Sequence, residues 1–131
     1  MSNISVATIK SKNAATPPVV TDSNGLEIGK FCKAWIKCTI PGGVPAINSS
    51  FNVSSITDEG VGNTKITWTT GTFADTNYVC IGQQDCGGYN PHRRGVGLAV
   101  TSATLVLIST GYVTENASTY EDLPFSVAAF S

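Results

Sequence analysis

Between Lys33 and Tyr78 the chain is written in short runs whose apolar residues recur at alternate positions, each run closed by Gly, Asn or Asp. The runs are Lys33-Ala34-Trp35-Ile36, Ser50-Phe51-Asn52-Val53-Ser54-Ser55-Ile56-Thr57-Asp58, Ile66-Thr67-Trp68 and Asp75-Thr76-Asn77-Tyr78-Val79. A period of two sends successive side chains to opposite faces of an extended strand, and the closing residues are those that turns require. This part of the chain therefore reads as antiparallel strands joined by turns.

The pattern continues beyond that stretch. From Phe31 to Thr39 the even positions Cys32, Ala34, Ile36 and Cys38 are small or apolar, and the odd positions Phe31, Lys33, Trp35 and Lys37 alternate an aromatic with a lysine. The even set is expected in the core, with Trp35 pointing outward. Pro41-Gly42-Gly43 ends this strand. Further strands are expected near 46–57, 63–70, 77–83, 96–100, 103–109 and 124–130. Asp58 to Asn63 forms a hairpin connection whose glycines take positive φ. In the strand near 63–70, Ile66 and Trp68 share a face opposite Lys65, Thr67 and Thr69. The runs Val96–Val100 and Thr104–Ser109 are apolar on both faces, which fits a central strand or a subunit contact. Phe125-Ser126-Val127-Ala128-Ala129-Phe130 is apolar enough to need pairing and burial. No helix of useful length and no internal repeat is expected.

At 131 residues the chain is one domain's worth, and seven or eight short strands about ten residues apart predict an all-β fold, an antiparallel β-sandwich over 29–131. Residues 1–28 differ. Ile4, Val6 and Ile9 are scattered among polar residues, Pro17-Pro18 interrupts regular structure, and Asn24-Gly25 makes a turn. The segment reads as an extended N-terminal arm with one short strand near Ile4–Ile9. That strand could add to another protein's surface as an anchor, and a disordered terminus is the bland reading.

Charged residues make up only 13% of the chain, and the formal net charge is −1. Without a basic field the sequence does not favour DNA or RNA as a partner. The surface is instead rich in Ser, Thr, Asn and Gly, as in extracellular β-proteins and virion parts. With few charges to guard strand edges, self-association is the expected way of covering apolar surface. The N-terminus lacks the basic opening and apolar core of a secretion signal, and no run is long enough to span a bilayer, so synthesis in a cytoplasm without membrane insertion is expected.

Candidate chemistry is sparse. Cys32 and Cys38 lie six apart on one strand, about 20 Å when extended, too far to bond to each other. Pairing of one of them with Cys80 or Cys86 leaves three connectivities open, and buried free thiols are the other reading. No spacing suits zinc, and no metal or cofactor is expected. The only histidine, His92, stands in the glycine-rich stretch Cys86 to Gly95 with Tyr89, Arg93 and Arg94. These four could contact an anionic or sugar ligand, since guanidinium suits planar anions and an aromatic suits a sugar face. The bland reading is an exposed loop with solvated arginines. No nucleophile motif accompanies His92, and Asp58, Glu59, Asp75, Asp85, Glu115, Glu121 and Asp122 all fall in expected turns and loops. The chain is not expected to be an enzyme.

In order and spacing, Lys33 to Ile36, Ser50 to Asp58, Asp75 to Val79 and Phe125 to Phe130 resemble the C-terminal β-domain of bacteriophage tail-fibre-type proteins. The Ser-Phe-Asn-Val-Ser-Ser-Ile block is the most specific part, and matched positions span most of residues 30–130. The resemblance implies a β-sandwich knob that assembles as a homotrimer at fibre ends or on virion surfaces; the outward-pointing Trp35 and the terminal Phe130 are the residues expected at a subunit contact. It carries no catalytic residues. A short arm before the knob implies a small fibre or decoration protein on a capsid, neck or tail, attached to other virion proteins through residues 1–28. Recognition of host surface polysaccharide by the Tyr89–Arg94 stretch is the alternative function.

Overall fold

The structure is a computed structural model that describes residues 20–85, 94–113 and 118–131. The chain divides into two compact units between Lys30 and Phe31. In the described part of the first unit, β1 (Val20–Thr21) and β2 (Glu27–Gly29) pair as an antiparallel hairpin. Asp22 builds its turn: Oδ1 accepts from the backbone N–H of Asn24 and of Leu26, both at 2.9 Å, and Gly25 sits at φ 80°. The turn expected at Asn24-Gly25 is present, but the flanking residues are paired strands rather than a plain extended arm.

The second unit is an antiparallel sandwich. One sheet has the order β4-β3-β11-β7, with β3 at Cys32–Thr39, β4 at Ala46–Phe51, β7 at Val79–Gln84 and β11 at Phe125–Phe130. The other contains β5 (Val53–Asp58), β6 (Asn63–Trp68), β8 (Arg94–Ser102) and β9 (Leu105–Val113) in the order β5-β6-β9-β8. A short strand, β10 (Ser118–Tyr120), continues β6's side of β9, pairing with residues 111–113 where β6 has ended. Both sheets put alternate side chains into one core. Ala34, Ile36, Cys38, Phe125, Val127 and Ala129 come from the first sheet, and Ile66, Trp68, Val106 and Ile108 from the second. The inward parity expected for β3 and for the Ile66–Trp68 pair is the parity found. The terminal strand β11 lies between β3 and β7, so its apolar run is paired on both edges.

Residues 69–78 close one end of the core with aromatics. Phe73 stacks on Tyr78 at 4.1 Å between ring centroids and meets Trp68 edge-on at 6.1 Å. The polar tips of the two buried amphipathic rings are satisfied together. Trp68 Nε1–H donates to the Tyr78 hydroxyl at 3.2 Å, and that hydroxyl lies 2.9 Å from the Ser102 carbonyl and 3.1 Å from that of Leu105. The aromatic plug thereby holds the β8–β9 turn. Carboxylates do turn work, as expected: Asp58 Oδ1 accepts from Gly60 N–H at 2.9 Å, and Asp75 Oδ1 from Asn77 N–H at 2.7 Å.

Three strand expectations need correction. The stretch 46–57 is two strands, not one. Asn52 between them has φ 55°, a left-handed conformation that asparagine tolerates better than most residues, and the chain crosses there from the first sheet to the second. Its Nδ2 donates to the Lys33 carbonyl at 2.7 Å, and its own carbonyl accepts from Thr69 N–H at 3.0 Å. The strands β8 and β9 run longer than expected and are not covered on both faces, because the residues alternating with inward Val96, Leu98 and Val100 are Gly95, Gly97 and Ala99. The strand β10 was not expected at all. The expected strand near Ile4–Ile9 lies outside the described residues.

Asn52→Ala should destabilise the protein by about 2 kcal/mol, the sum of one lost hydrogen bond and a Cβ-bearing residue without a local polar partner forced to positive φ. Asn52→Gly should cost about half that, since only the hydrogen bond goes. Urea denaturation of the two variants checks the ranking; equal losses would mean that the left-handed turn is not the constraint.

Candidate functional site

Of the expected ligand-binding residues, Tyr89, His92 and Arg93 lie outside the described residues, as do the expected anchoring residues Ile4, Val6 and Ile9, and Cys86. Arg94 opens β8, paired in register with Tyr112. Among the described residues no group of His, Cys, Asp and Glu could hold a metal ion.

Among the described cysteines, the disulfide that was one reading of their spacing is absent. Cys32, Cys38 and Cys80 are free thiols. The topology gives the reason: β11 lies between β3 and β7, so Cys32 and Cys38 stand two strand spacings, about 10 Å, from the strand carrying Cys80. A disulfide needs Cα atoms within about 7 Å. Cys38 faces the core, and Cys80 is half-buried on the inward side of β7. Burial pushes both thiols up, Cys80 to about 11; for Cys38 a backbone hydrogen bond with Ala46 works in the opposite direction. These are packing residues whose thiolates are scarce near neutrality.

Two surfaces remain, one on each outer face of the sandwich. On the first sheet, Phe51, Trp35, Ala128 and Ile81 fall in one cross-strand row, set by the pairs Phe51–Trp35, Trp35–Ala128 and Ala128–Ile81. Phe51 is 51%, Trp35 38% and Ile81 63% exposed. Phe130 and Val79 pair one row along. Trp35 points out of the sandwich as its parity predicts, and the row it belongs to crosses all four strands. Ala128 is the small member, leaving a shallow dish of about 340 Å³ between Trp35 and Ile81. Lys33 and Lys37 border the band on β3, and Ser49, Ser126 and Gln83 share the row of Lys37. An apolar band with a polar rim is how protein contact surfaces are built.

The outer face of the second sheet is its opposite in character. Gly95 pairs with Gly111 and Gly97 with Ser109, and Tyr120 on β10 pairs with Gly111. Three glycines on two neighbouring strands leave a depression of about 450 Å³, bordered by Thr119 and Tyr120. None of the described residues lining it carries a charge. One glycine is fixed by the fold: a Cβ on Gly111 would lie 2.2 Å from the Thr119 carbonyl oxygen, so β10 could not approach β9 past any side chain. The Thr110 hydroxyl, buried beneath, donates to the Glu121 carbonyl at 2.6 Å, and Asp122 Oδ1 accepts from Gly62 N–H at 2.6 Å, tying the segment after β10 to the hairpin after β5. Sequence reading missed this surface. Its signal was available in the run Gly95-Val96-Gly97-Leu98, where glycine alternates with inward apolar residues.

No protein-family model, curated protein or solved structure matches this chain.

At pH 8 a thiol with a pKa near 11 has a thiolate fraction roughly ninetyfold below that of a thiol at the ordinary value of 9.0. Cys80 should therefore react with iodoacetamide far more slowly in the folded protein than in urea, with peptide mapping as the readout. Because the folded state keeps this proton above the ordinary thiol value of 9.0, stability should fall as pH rises from about 9 to 11. Cys80→Ala should flatten that part of the curve. Rapid labelling of native Cys80 would contradict its burial.

Proposed function

We propose that this chain is a bacteriophage virion structural protein: a short fibre or decoration subunit that trimerises through its sandwich and attaches to the particle through residues 1–28. The observation that carries the reading is the solvent-facing row Phe51–Trp35–Ala128–Ile81. Apolar side chains on the outer face of a sheet gain nothing from the fold that places them there, and covering them with copies of the same face removes them from water at roughly 25 cal/mol per Å². The low charge content agrees with this, since a particle component is held by neighbours rather than by colloidal repulsion. The resemblance to tail-fibre-type domains supports the same reading from the sequence side and supplies the threefold stoichiometry. In the first unit, Leu26 and Ile28 expose apolar side chains at 66% and 63% on a two-stranded hairpin, the kind of edge that adds to another protein's sheet. Three such arms on one trimer bind multivalently.

Light scattering on the full chain should give three times the 13.7 kDa of one subunit, unchanged by reductant. Trp35→Glu should shift the dissociation midpoint at least a hundredfold in concentration, because a carboxylate at the centre of the band would have to be desolvated. A wild-type monomer at high concentration would overturn the trimer.

Deleting residues 1–28 should leave the oligomer soluble and abolish its incorporation into particles, followed by mass spectrometry of purified virions. Normal decoration by the truncated protein would remove the anchoring role.

A further inference from the structure

Asn24-Gly25 is the only Asn-Gly pair in the chain, and it stands at the turn between β1 and β2. Both residues are exposed. The turn is held by backbone groups and by the Asp22 carboxylate. Asn24 N–H and Leu26 N–H donate to Asp22 Oδ1, and Gly25 N–H donates to the Asp22 carbonyl at 3.1 Å. None of these bonds engages the Asn24 side-chain amide. A Cβ at Gly25 would meet nothing within 4 Å, so no neighbouring group crowds this side of the Asn24–Gly25 peptide bond.

We propose that Asn24 is a site of spontaneous deamidation and that its conversion unpairs the β1–β2 hairpin. The Gly25 backbone nitrogen gives its proton to solvent base and attacks Asn24 Cγ. The new N–Cγ bond closes a succinimide ring, and the bond from Cγ to the side-chain nitrogen breaks, releasing ammonia. Water then opens the ring. Addition at Cγ leaves aspartate. Addition at the Asn24 backbone carbonyl carbon leaves isoaspartate, whose main chain runs through Cβ and Cγ to the Gly25 nitrogen. Water is the only co-reactant, and nothing is oxidised or reduced.

The position favours this reaction over the other described asparagines. A side chain on the following residue hinders ring closure, and glycine has none. Asn48, Asn52, Asn63 and Asn77 precede Ser49, Val53, Thr64 and Tyr78. The bond that opposes attack, Gly25 N–H to the Asp22 carbonyl, is at the long end of the usual range. It belongs to a sheet of only two strands, two and three residues long, a size that opens readily. The isoaspartyl product lengthens the turn backbone by one carbon. Hairpin register is set by turn length, so the pairs Val20–Gly29 and Thr21–Glu27 lose their alignment. The product also places a new carboxylate beside that of Asp22, where like charges repel. Leu26 and Ile28 then lose the frame that presents them. The inference rests on neither trimerisation nor attachment to a particle.

The test ages the full chain in mildly alkaline buffer and maps its peptides by mass spectrometry, with amide hydrogen exchange over residues 20–29 read on the same samples. Asn24 should gain one mass unit and resolve into aspartyl and isoaspartyl peptides. Its rate should exceed that of Asn48, Asn52, Asn63 or Asn77 at least about tenfold, because only Asn24 precedes a residue without a side chain. Exchange over 20–29 should quicken in step with the isoaspartyl fraction, while exchange in β3, β6 and β11 stays unchanged. Asn24→Gln, which must close a larger ring, should stay unconverted and keep its exchange pattern on ageing. Freshly prepared Asn24→Asp adds the charge without the extra carbon and should retain more protection than the aged wild type. The proposal is overturned if Asn24 survives ageing or converts no faster than the other four asparagines. It is equally overturned if conversion leaves exchange over 20–29 unaltered, or if aged Asn24→Gln loses protection as the wild type does.

Discussion

Asn52 sets the architecture on which the rest depends. A strip of chain that would run as one strand from Ala46 to Asp58 is turned at this residue, and its two halves enter different sheets. The turn needs positive φ, which costs an ordinary residue about 1–2 kcal/mol, and asparagine reduces that cost through its short polar side chain. Here the amide is anchored on the Lys33 carbonyl in β3, so the corner is tied to the strand that carries Trp35 and the buried Ala34 and Ile36. Without that corner β4 and β5 could not both be edge strands of facing sheets. The same turn ends the exposed row at Phe51 on one side and begins the paired register of β5 and β6 on the other.

Once the two sheets are fixed, the outer faces divide by composition. The first sheet shows aromatic and branched side chains, and the second shows mainly Gly, Ala, Ser and Thr, with Leu105, Leu107 and Tyr120 as large apolar members among the described residues. Such a division has no value for folding, because both faces point away from the core. It has value if the two faces meet different things. Desolvating the apolar face against protein is favourable, whereas the glycine face has little apolar area to bury and offers close access to backbone and hydroxyls.

The sandwich was legible because its core obeys the period of two. Cys38, Ile36 and Ala34 on β3, Ile66 and Trp68 on β6, and the terminal Phe125–Phe130 run all face as their spacing dictates. The corner at Asn52 was not legible. Ser50 to Asp58 alternates well enough to read as one strand, and asparagine within a strand pattern is a weak signal for a left-handed residue. The parity of Trp35 was readable, but its row partners Phe51, Ala128 and Ile81 were not, because register between strands distant in sequence is set by tertiary pairing. The second sheet's surface was hidden for a related reason. Val96, Leu98 and Val100 drew the reading toward burial on both faces, and the glycines between them counted as gaps instead of as an outward face.

The cysteines show the same limit from the other direction. Four thiols in a short chain invite a disulfide framework, and spacing alone left pairing and burial as competing readings. What decides between them for Cys32, Cys38 and Cys80 is the strand β11, which inserts its Phe125–Phe130 run between β3 and β7. A residue pair brought onto the same sheet face is still two spacings apart when a third strand lies between them. The apolar carboxy-terminal strand thus does double duty. It supplies Phe125, Val127 and Ala129 to the core, and it separates the strand of Cys32 and Cys38 from that of Cys80, so that Cys38 and Cys80 act as small hydrophobic side chains.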